Sequence, residues 1–183
     1  GGWSEAIYLE PGVVAAALPD AVRPEDYIGG GCGLITAVHA IDRAALRLTD
    51  SVLVQGTGAV GLSIVALARL SGAGVVAAVG APGNRLDLAR RMGADVVFDV
   101  TAADERQAAV RSMTGGRGVD VVIEASGAPA AIEEAPGLVR DGGRYVIAGH
   151  YTDAGASTIN AHHQINRKHL EIRGCWGSEA GHF

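Results

Sequence analysis

Residues 52–61 read VLVQGTGAVG, and this stretch restricts the chain to very few folds. Gly56, Gly58 and Gly61 keep a GxGxxG spacing directly after an apolar β-branched run and directly before AVGLSIVALARL at 59–70, an apolar helix-like segment. That arrangement suits a dinucleotide. Gly56 permits a tight turn, Gly58 lets backbone approach a pyrophosphate, and Gly61 lets the helix lie close on the strand. The helix start adds free amides and the positive end of a dipole. With 27 glycines in the chain the spacing alone arises by chance; its place between a strand and a helix makes it specific.

The rest of the pattern supplies that context. From residue 52 onward short apolar runs alternate with helical segments, the signature of a parallel sheet covered on both faces. Strands are expected at residues 52–55, 75–79, 96–98, 119–124, 144–149 and 169–173, as five βα repeats and a final strand. The predicted fold is an α/β, Rossmann doubly wound, six-stranded parallel sheet with helices on both faces. A helix over 84–92 takes Asn84 as N-cap, carries Leu86, Ala89 and Met92 on one stripe and stops at Gly93. Another runs from about Cys32 to Arg47, after the glycines at 29–31. Residues 1–20 read differently, as two strands around the Pro11–Gly12 turn that cannot form a domain alone.

About twenty residues beyond the fingerprint, a carboxylate ordinarily grips the adenosine ribose of NAD. Gly80 holds that place, and Arg85 follows it. The missing carboxylate removes a charge that would repel a 2′-phosphate, and Arg85 reaches such a group, so the expected cofactor is NAD(P) with a slight lean to NADP.

Composition removes other classes. At 48% hydrophobic and 19% charged residues the chain is not of the disordered type. A net charge of −5 argues against a nucleic-acid partner. No apolar stretch is long enough for a bilayer and no leader opens the sequence, so a cytoplasmic protein is expected, with no membrane partner. Two cysteines are too few for a disulfide scaffold or a complete thiolate metal site.

The flanking residues add a family likeness. GCGLITAVHAI at 31–41, GGWSEAI at 1–7 and RLDLARRMGADVVFD at 85–99 resemble the zinc-type medium-chain dehydrogenase/reductase family, which includes alcohol dehydrogenases. The likeness covers essentially the whole chain. It implies a remnant of a GroES-like catalytic domain at residues 1–22, an NAD(P)-binding Rossmann domain at 23–175, and the start of the return to the catalytic domain at 176–183. It implies that Cys32 is a catalytic-zinc ligand and that Thr36 lies against the nicotinamide, both counted as catalytic. Ala59 and Val60 match amides facing the pyrophosphate, Arg85 a basic residue at the ribose, Ala125 and Ser126 residues under the cofactor, and His150 one beside the nicotinamide. The remaining zinc ligands would come from the part of the family pattern absent here.

The resemblance further implies hydride transfer between a small alcohol, polyol or carbonyl compound and the nicotinamide, and a homo-oligomer joined through the sheet edge. Two alternatives stay open: a zinc-free quinone or enoyl reductase of the same superfamily, and a non-catalytic nucleotide-binding module. Other titratable residues are read more plainly. Cys175 is packing, and His39 is a packed or surface residue. His162 and His163, being adjacent, do not share a metal. Asp95, Asp99 and Asp120 are solvated strand ends, and Glu124 ends a strand on the cofactor side without contacting ligand.

Overall fold

In a computed structural model, which describes residues 4–28, 31–177 and 180–182, six parallel strands form one sheet in the order β3-β2-β1-β4-β5-β6. The strands are β1 (Ser51–Gln55), β2 (Val75–Gly80), β3 (Val96–Asp99), β4 (Val119–Glu124), β5 (Val139–Ile147) and β6 (Glu171–Gly174). Successive strands are added to one side of β1 as far as β3 and to its other side from β4 onward, and such a switch point opens a crevice at the carboxyl ends of the strands. The glycine turn lies at that crevice.

Successive side chains of a strand face opposite sides, and the two cores follow from it. Val52 and Val54 of β1 enter one cluster with Val76, Val121 and Ile123. It is closed by Ala37 and Ala40 of α2 (Gly31–Ala44), Ile64 and Val65 of α3 (Ala59–Leu70) and Ala89 of α4 (Gly83–Arg91). Leu53, between those valines, enters the other with Val79, Val122 and Tyr145. Val110 of α5 (Ala103–Met113) and Ile132, Ala135 and Leu138 of α6 (Pro129–Leu138) cover it. The doubly wound sheet is therefore as expected from the apolar runs.

Some boundaries differ, for local reasons. Helix α2 stops at Ala44 rather than near Arg47: Ala45 has φ 46°, and Arg144 donates to the carbonyls of Ala44 and Ala45 while pairing with the buried carboxylate of Asp50. The orphan carbonyls of the helix end are thus satisfied by an arginine from β5. Helix α4 begins at Gly83, its N-cap position being Pro82 with no side-chain cap, so Asn84 lies inside the first turn. Its stripe of Leu86 and Ala89 is buried, Met92 packs on the core, and Gly93 takes φ 112° just beyond the end. Strand β5 starts at Val139, earlier than expected, and reaches the rest of its ladder through an irregularity between its pairings with Val119 and Val121. Strand β6 starts at Glu171, after His169 at φ 50°.

The strands expected within residues 1–20 are absent among the described residues. Only the turn forms, with Gly12 at φ 93° and Val13 N–H donating to Glu10 O at 3.2 Å. Residues 4–28 are all exposed, and without a partner strand an extended segment has no ladder to join. A short helix, α1 (Pro24–Ile28), follows; in chain order it precedes α2. Residues 1–3 and the glycines at 29–30 lie outside the described residues. A π-helical turn over Ala161–Asn166 leads to β6. No helix is long and apolar enough to cross a membrane among the described residues.

Candidate cofactor site

The site is built around the start of α3. Its N-cap position is Gly58, extended at φ −75° and ψ −175°, with no side-chain cap. The first bond into the helix runs from Leu62 N–H to Gly58 O at 2.9 Å, which leaves the amides of Ala59, Val60 and Gly61 aimed outward. Each glycine has a separate reason. Gly56 stands at φ 110°, and a Cβ there would lie 2.8 Å from the carbonyl carbon and oxygen of Ala125. A Cβ on Gly61 would strike Gly56 O and lie 2.8 Å from Gly56 C. A Cβ on Gly58 would meet no backbone within 4 Å, only Arg85 Nη1 at 3.9 Å, an ordinary contact, so the space over Gly58 is bounded by Arg85 alone.

Beside the turn lies a groove of about 520 Å³ lined by Gln55, Gly56, Thr57, Gly58, Val79, Gly80, Arg106, Ala125, Ser126, Ala131 and Glu134, among others. Five of the residues singled out from the sequence, Gly56, Gly58, Gly80, Ala125 and Ser126, meet in this lining. Arg85 is brought to the same place from α4, its Nη1 donating to Thr57 O at 3.1 Å. Cys32, Thr36, Ala59, Val60, Gly61 and His150 lie outside the lining.

Helix α2 approaches from the other side. A Cβ on Gly33 would rest 3.6 Å from Ala59 Cβ and Val60 Cγ2, so the first turn of α2 abuts the first turn of α3. That contact brings the exposed Cys32 near the amide end. Thr36 donates its hydroxyl to Cys32 O at 2.8 Å, and its side chain is half-buried. His150 is half-buried with Nε2 lacking any hydrogen-bond partner.

The sequence did not reveal what fixes the loops below. Glu124 is fully buried. Its Oε1 accepts from Ser126 N, Ser126 Oγ and Gly127 N at 2.5, 2.7 and 2.7 Å, and Oε2 accepts from Gly149 N at 3.1 Å. One carboxylate therefore ties the loop after β4 to the loop after β5 that carries His150. Burial, with the adjacent Glu124 charge, raises the pKa of Tyr145 far above the usual phenol value. Across the groove, Arg106 bonds Glu134 through Nε at 2.7 Å and Asp99 O through Nη1 at 2.9 Å. Gln55 bonds Ala131 O at 3.1 Å and Glu134 Oε2 at 3.0 Å. A signal for two of these existed: Gln55 and Glu124 are polar residues closing otherwise apolar runs at the carboxyl ends of strands.

Asp120 corrects an expectation. Rather than a solvated end, it accepts from Ser51 N–H and Oγ–H at 2.8 and 2.7 Å and from Arg140 Nε at 2.6 Å. Burial works to raise its pKa, but those bonds outweigh it and bring it to about 2. Asp95 is exposed yet accepts from Val76 N at 2.8 Å and pairs with Arg69; Asp99 is exposed and bonds Thr101 N and Oγ. His39 is packed, its Nδ1 2.8 Å from Gly177 O and its ring stacked on His182. His162 and His163 touch edge to face, exposed. Cys175 is buried, and burial raises its thiol pKa.

Metal donors are sparse. Among the described residues no group of three or more His, Cys, Asp or Glu is placed to hold a metal, so Cys32 offers one sulfur and no complete shell.

Residues 59–183 match the family described as zinc-binding dehydrogenase. The chain belongs to that family. The chain is 35% identical, over all of its own length and 51% of the relative's, to 5-exo-hydroxycamphor dehydrogenase of Pseudomonas putida. It thus spans about half the length of that curated relative. Its fold is similar to an alcohol dehydrogenase from Thermotoga maritima, with TM-score 0.85 and 30% identity over 90% of this chain and 46% of that one. It is similar also to a zinc-binding dehydrogenase of Sinorhizobium meliloti solved with NADP, with TM-score 0.76 and 28% identity over 82% of this chain and 44% of that one.

Proposed function

We propose that this chain is the dinucleotide-binding part of a zinc-dependent alcohol or polyol dehydrogenase, taking NAD(P) with a lean to NADP. The observation that carries the reading is the uncapped start of α3 beneath the open space over Gly58. Three outward amides, the helix dipole and Arg85 together match a diphosphate and its ribose. Residues 23–175 would be the nucleotide domain, residues 1–22 and 176–183 pieces of a catalytic domain, as the exposed apolar side chains of Ile7, Tyr8 and Val14 support.

In this reading the groove and Arg85 bind the adenosine half, the amides of Ala59 and Val60 hold the pyrophosphate, and Thr36 and His150 flank the nicotinamide. Glu124 keeps the two loops beneath it in register and so orients rather than reacts. Cys32 supplies one zinc ligand from the first turn of α2, where the helix end favours negative charge. When bound, zinc supplies a Lewis acid and the nicotinamide a hydride carrier. A small alcohol or carbonyl compound is the substrate, the exposed edge of β6 the oligomer contact, and the cytoplasm, consistent with two unpaired cysteines, the location.

Titration with NADPH and NADH, read by nicotinamide fluorescence, tests the proposal. Gly58→Asp, which sets a side chain and a negative charge in the open space, is expected to weaken both cofactors at least about tenfold, equivalent to ~1.4 kcal/mol. Unchanged binding in that variant, or no binding by the parent, refutes the site. These 183 residues alone are expected to bind cofactor without oxidising alcohol, because no complete metal shell is present among the described residues.

A further inference from the structure

We propose that Thr57 decides which adenosine end the groove accepts. Its side chain fills the space a carboxylate at position 80 would need, leaving the ribose to Arg85 and favouring a 2′-phosphorylated dinucleotide. The inference rests on the dinucleotide-binding reading above and adds the residue that imposes the cofactor class.

Position 80 ends β2 and is buried. A Cβ built on Gly80 would collide with Thr57 Oγ1 and lie 2.5 Å from its Cγ2 and 2.7 Å from its Cβ. All three nearest atoms belong to one residue, so one side chain closes the position. Thr57 has little room to withdraw. It is 3% exposed, and a β-branched side chain is stiff about χ1. The backbone behind it cannot retreat either, because Gly56 at φ 110° already approaches Ala125 and Ser126 too closely for a Cβ. The Thr57 hydroxyl is buried without a hydrogen-bond partner, so what the residue contributes here is volume.

The same residue organises the positive side of the site. Thr57 O accepts from Arg85 Nη1 at 3.1 Å, and that nitrogen is the nearest atom to the space over Gly58. The side chain of Thr57 thus excludes an anion at position 80 while its carbonyl holds a cation over the phosphate turn. A guanidinium with no facing carboxylate attracts a phosphate dianion. A carboxylate in place of Gly80 would repel that dianion and accept from ribose hydroxyls instead.

The coupling is testable by fluorescence titration with NADPH and NADH across five forms of the protein: the parent, Thr57→Val, Gly80→Asp, Thr57→Val with Gly80→Asp, and Thr57→Gly with Gly80→Asp. The parent is expected to prefer NADPH. Thr57→Val keeps the volume and removes only the unpartnered hydroxyl, so the preference for NADPH over NADH should persist. Gly80→Asp, forced against Thr57, should weaken both cofactors about tenfold or more, in line with the cost of overpacking, and adding Thr57→Val should not relieve it. Thr57→Gly with Gly80→Asp should restore NADH to within about threefold of the parent and leave NADPH at least about thirtyfold weaker.

Tight NADH binding by Gly80→Asp alone, or no NADH recovery in a folded Thr57→Gly, Gly80→Asp protein, overturns the assignment. Should that double variant unfold, Gly80→Ala and its Thr57→Gly partner pose the same steric question with a methyl. The urea midpoint is expected to fall in the first and recover in the second, and equal midpoints overturn it. A parent that binds neither dinucleotide sinks the functional reading itself, whereas one that binds both with independent effects at the two positions sinks only the role of Thr57.

Discussion

Replacing Gly61 with alanine is the sharpest probe of how the glycine turn and α3 fit together. The added methyl would strike Gly56 O and stand 2.8 Å from Gly56 C, where carbon atoms ordinarily keep about 3.5–4.0 Å. The helix must therefore withdraw by roughly 1 Å, since Gly56 is itself pinned against Ala125 and Ser126. Ile64 and Val65, one turn on, are fully buried, so that movement strains the core; overpacking of this kind costs about 1–3 kcal/mol. The amides of Ala59 and Val60 move with the helix. A charge-assisted bond stretched from ~2.9 to ~3.9 Å is lost, at about 1.5–3 kcal/mol each, so with two amides displaced the cofactor dissociation constant should rise at least about a hundredfold. Urea denaturation gives the stability change and nicotinamide fluorescence the affinity. A variant with parental midpoint and parental affinity refutes the argument, since the methyl would then fit where the packing leaves no room.

Three further outcomes are expected. Glu124→Gln should leave stability within about 1 kcal/mol, because relief from burying a charge offsets weaker hydrogen bonds. It should nevertheless raise the cofactor dissociation constant several-fold as the two loops lose their common acceptor, and unaltered affinity by titration contradicts the positioning role. Asp120 has a folded pKa of about 2 against ~3.9 unfolded, so its stabilisation is present above pH ~4 and lost as pH falls toward 2. Asp120→Asn should be less stable by about 1–2 kcal/mol at pH 6, allowing for solvent screening, with the gap to the parent narrowing at pH 3; a gap independent of pH contradicts the assignment. Cys32→Ser in the parent enzyme should lower bound zinc severalfold by metal analysis with cofactor affinity kept, and full zinc retention removes Cys32 from the shell.

The parts of the fold that were legible in sequence are those set by local chemistry. Val52, Leu53 and Val54 form an unbroken apolar run because both faces of β1 are covered, so the strand and the sandwich around it are written together. Gly93 at φ 112° ends α4 as a glycine there should. The failures involve partners distant in the chain. Helix α2 ends early because of Arg144, one hundred positions away from the Ala44 carbonyl it takes. Asp120 looked like a solvated strand end until Ser51, sixty-nine positions earlier, supplied its donors. The expected strands before residue 20 had apolar runs flanking a turn but no partner among the described residues. At the site, glycine spacing marked the phosphate turn, whereas Thr57 gave no signal. Its importance arises from its closeness to Gly80, and Thr57 and Gly80 are linked by sheet topology rather than by any motif.

Among the contacts that hold helix α2, two fix its ends: at the far end the arginine that takes its last carbonyls, and near its start the glycine contact with α3. Fourteen residues at 1.5 Å each make a rod of about 21 Å. Held at the far end alone, a tilt of only about 5° would sweep the sulfur of Cys32 through roughly 2 Å, whereas metal–ligand distances tolerate only ~0.2 Å. The second bearing turns that lever into a fixed bracket, so a metal held there and a phosphate held at α3 would share one rigid mount.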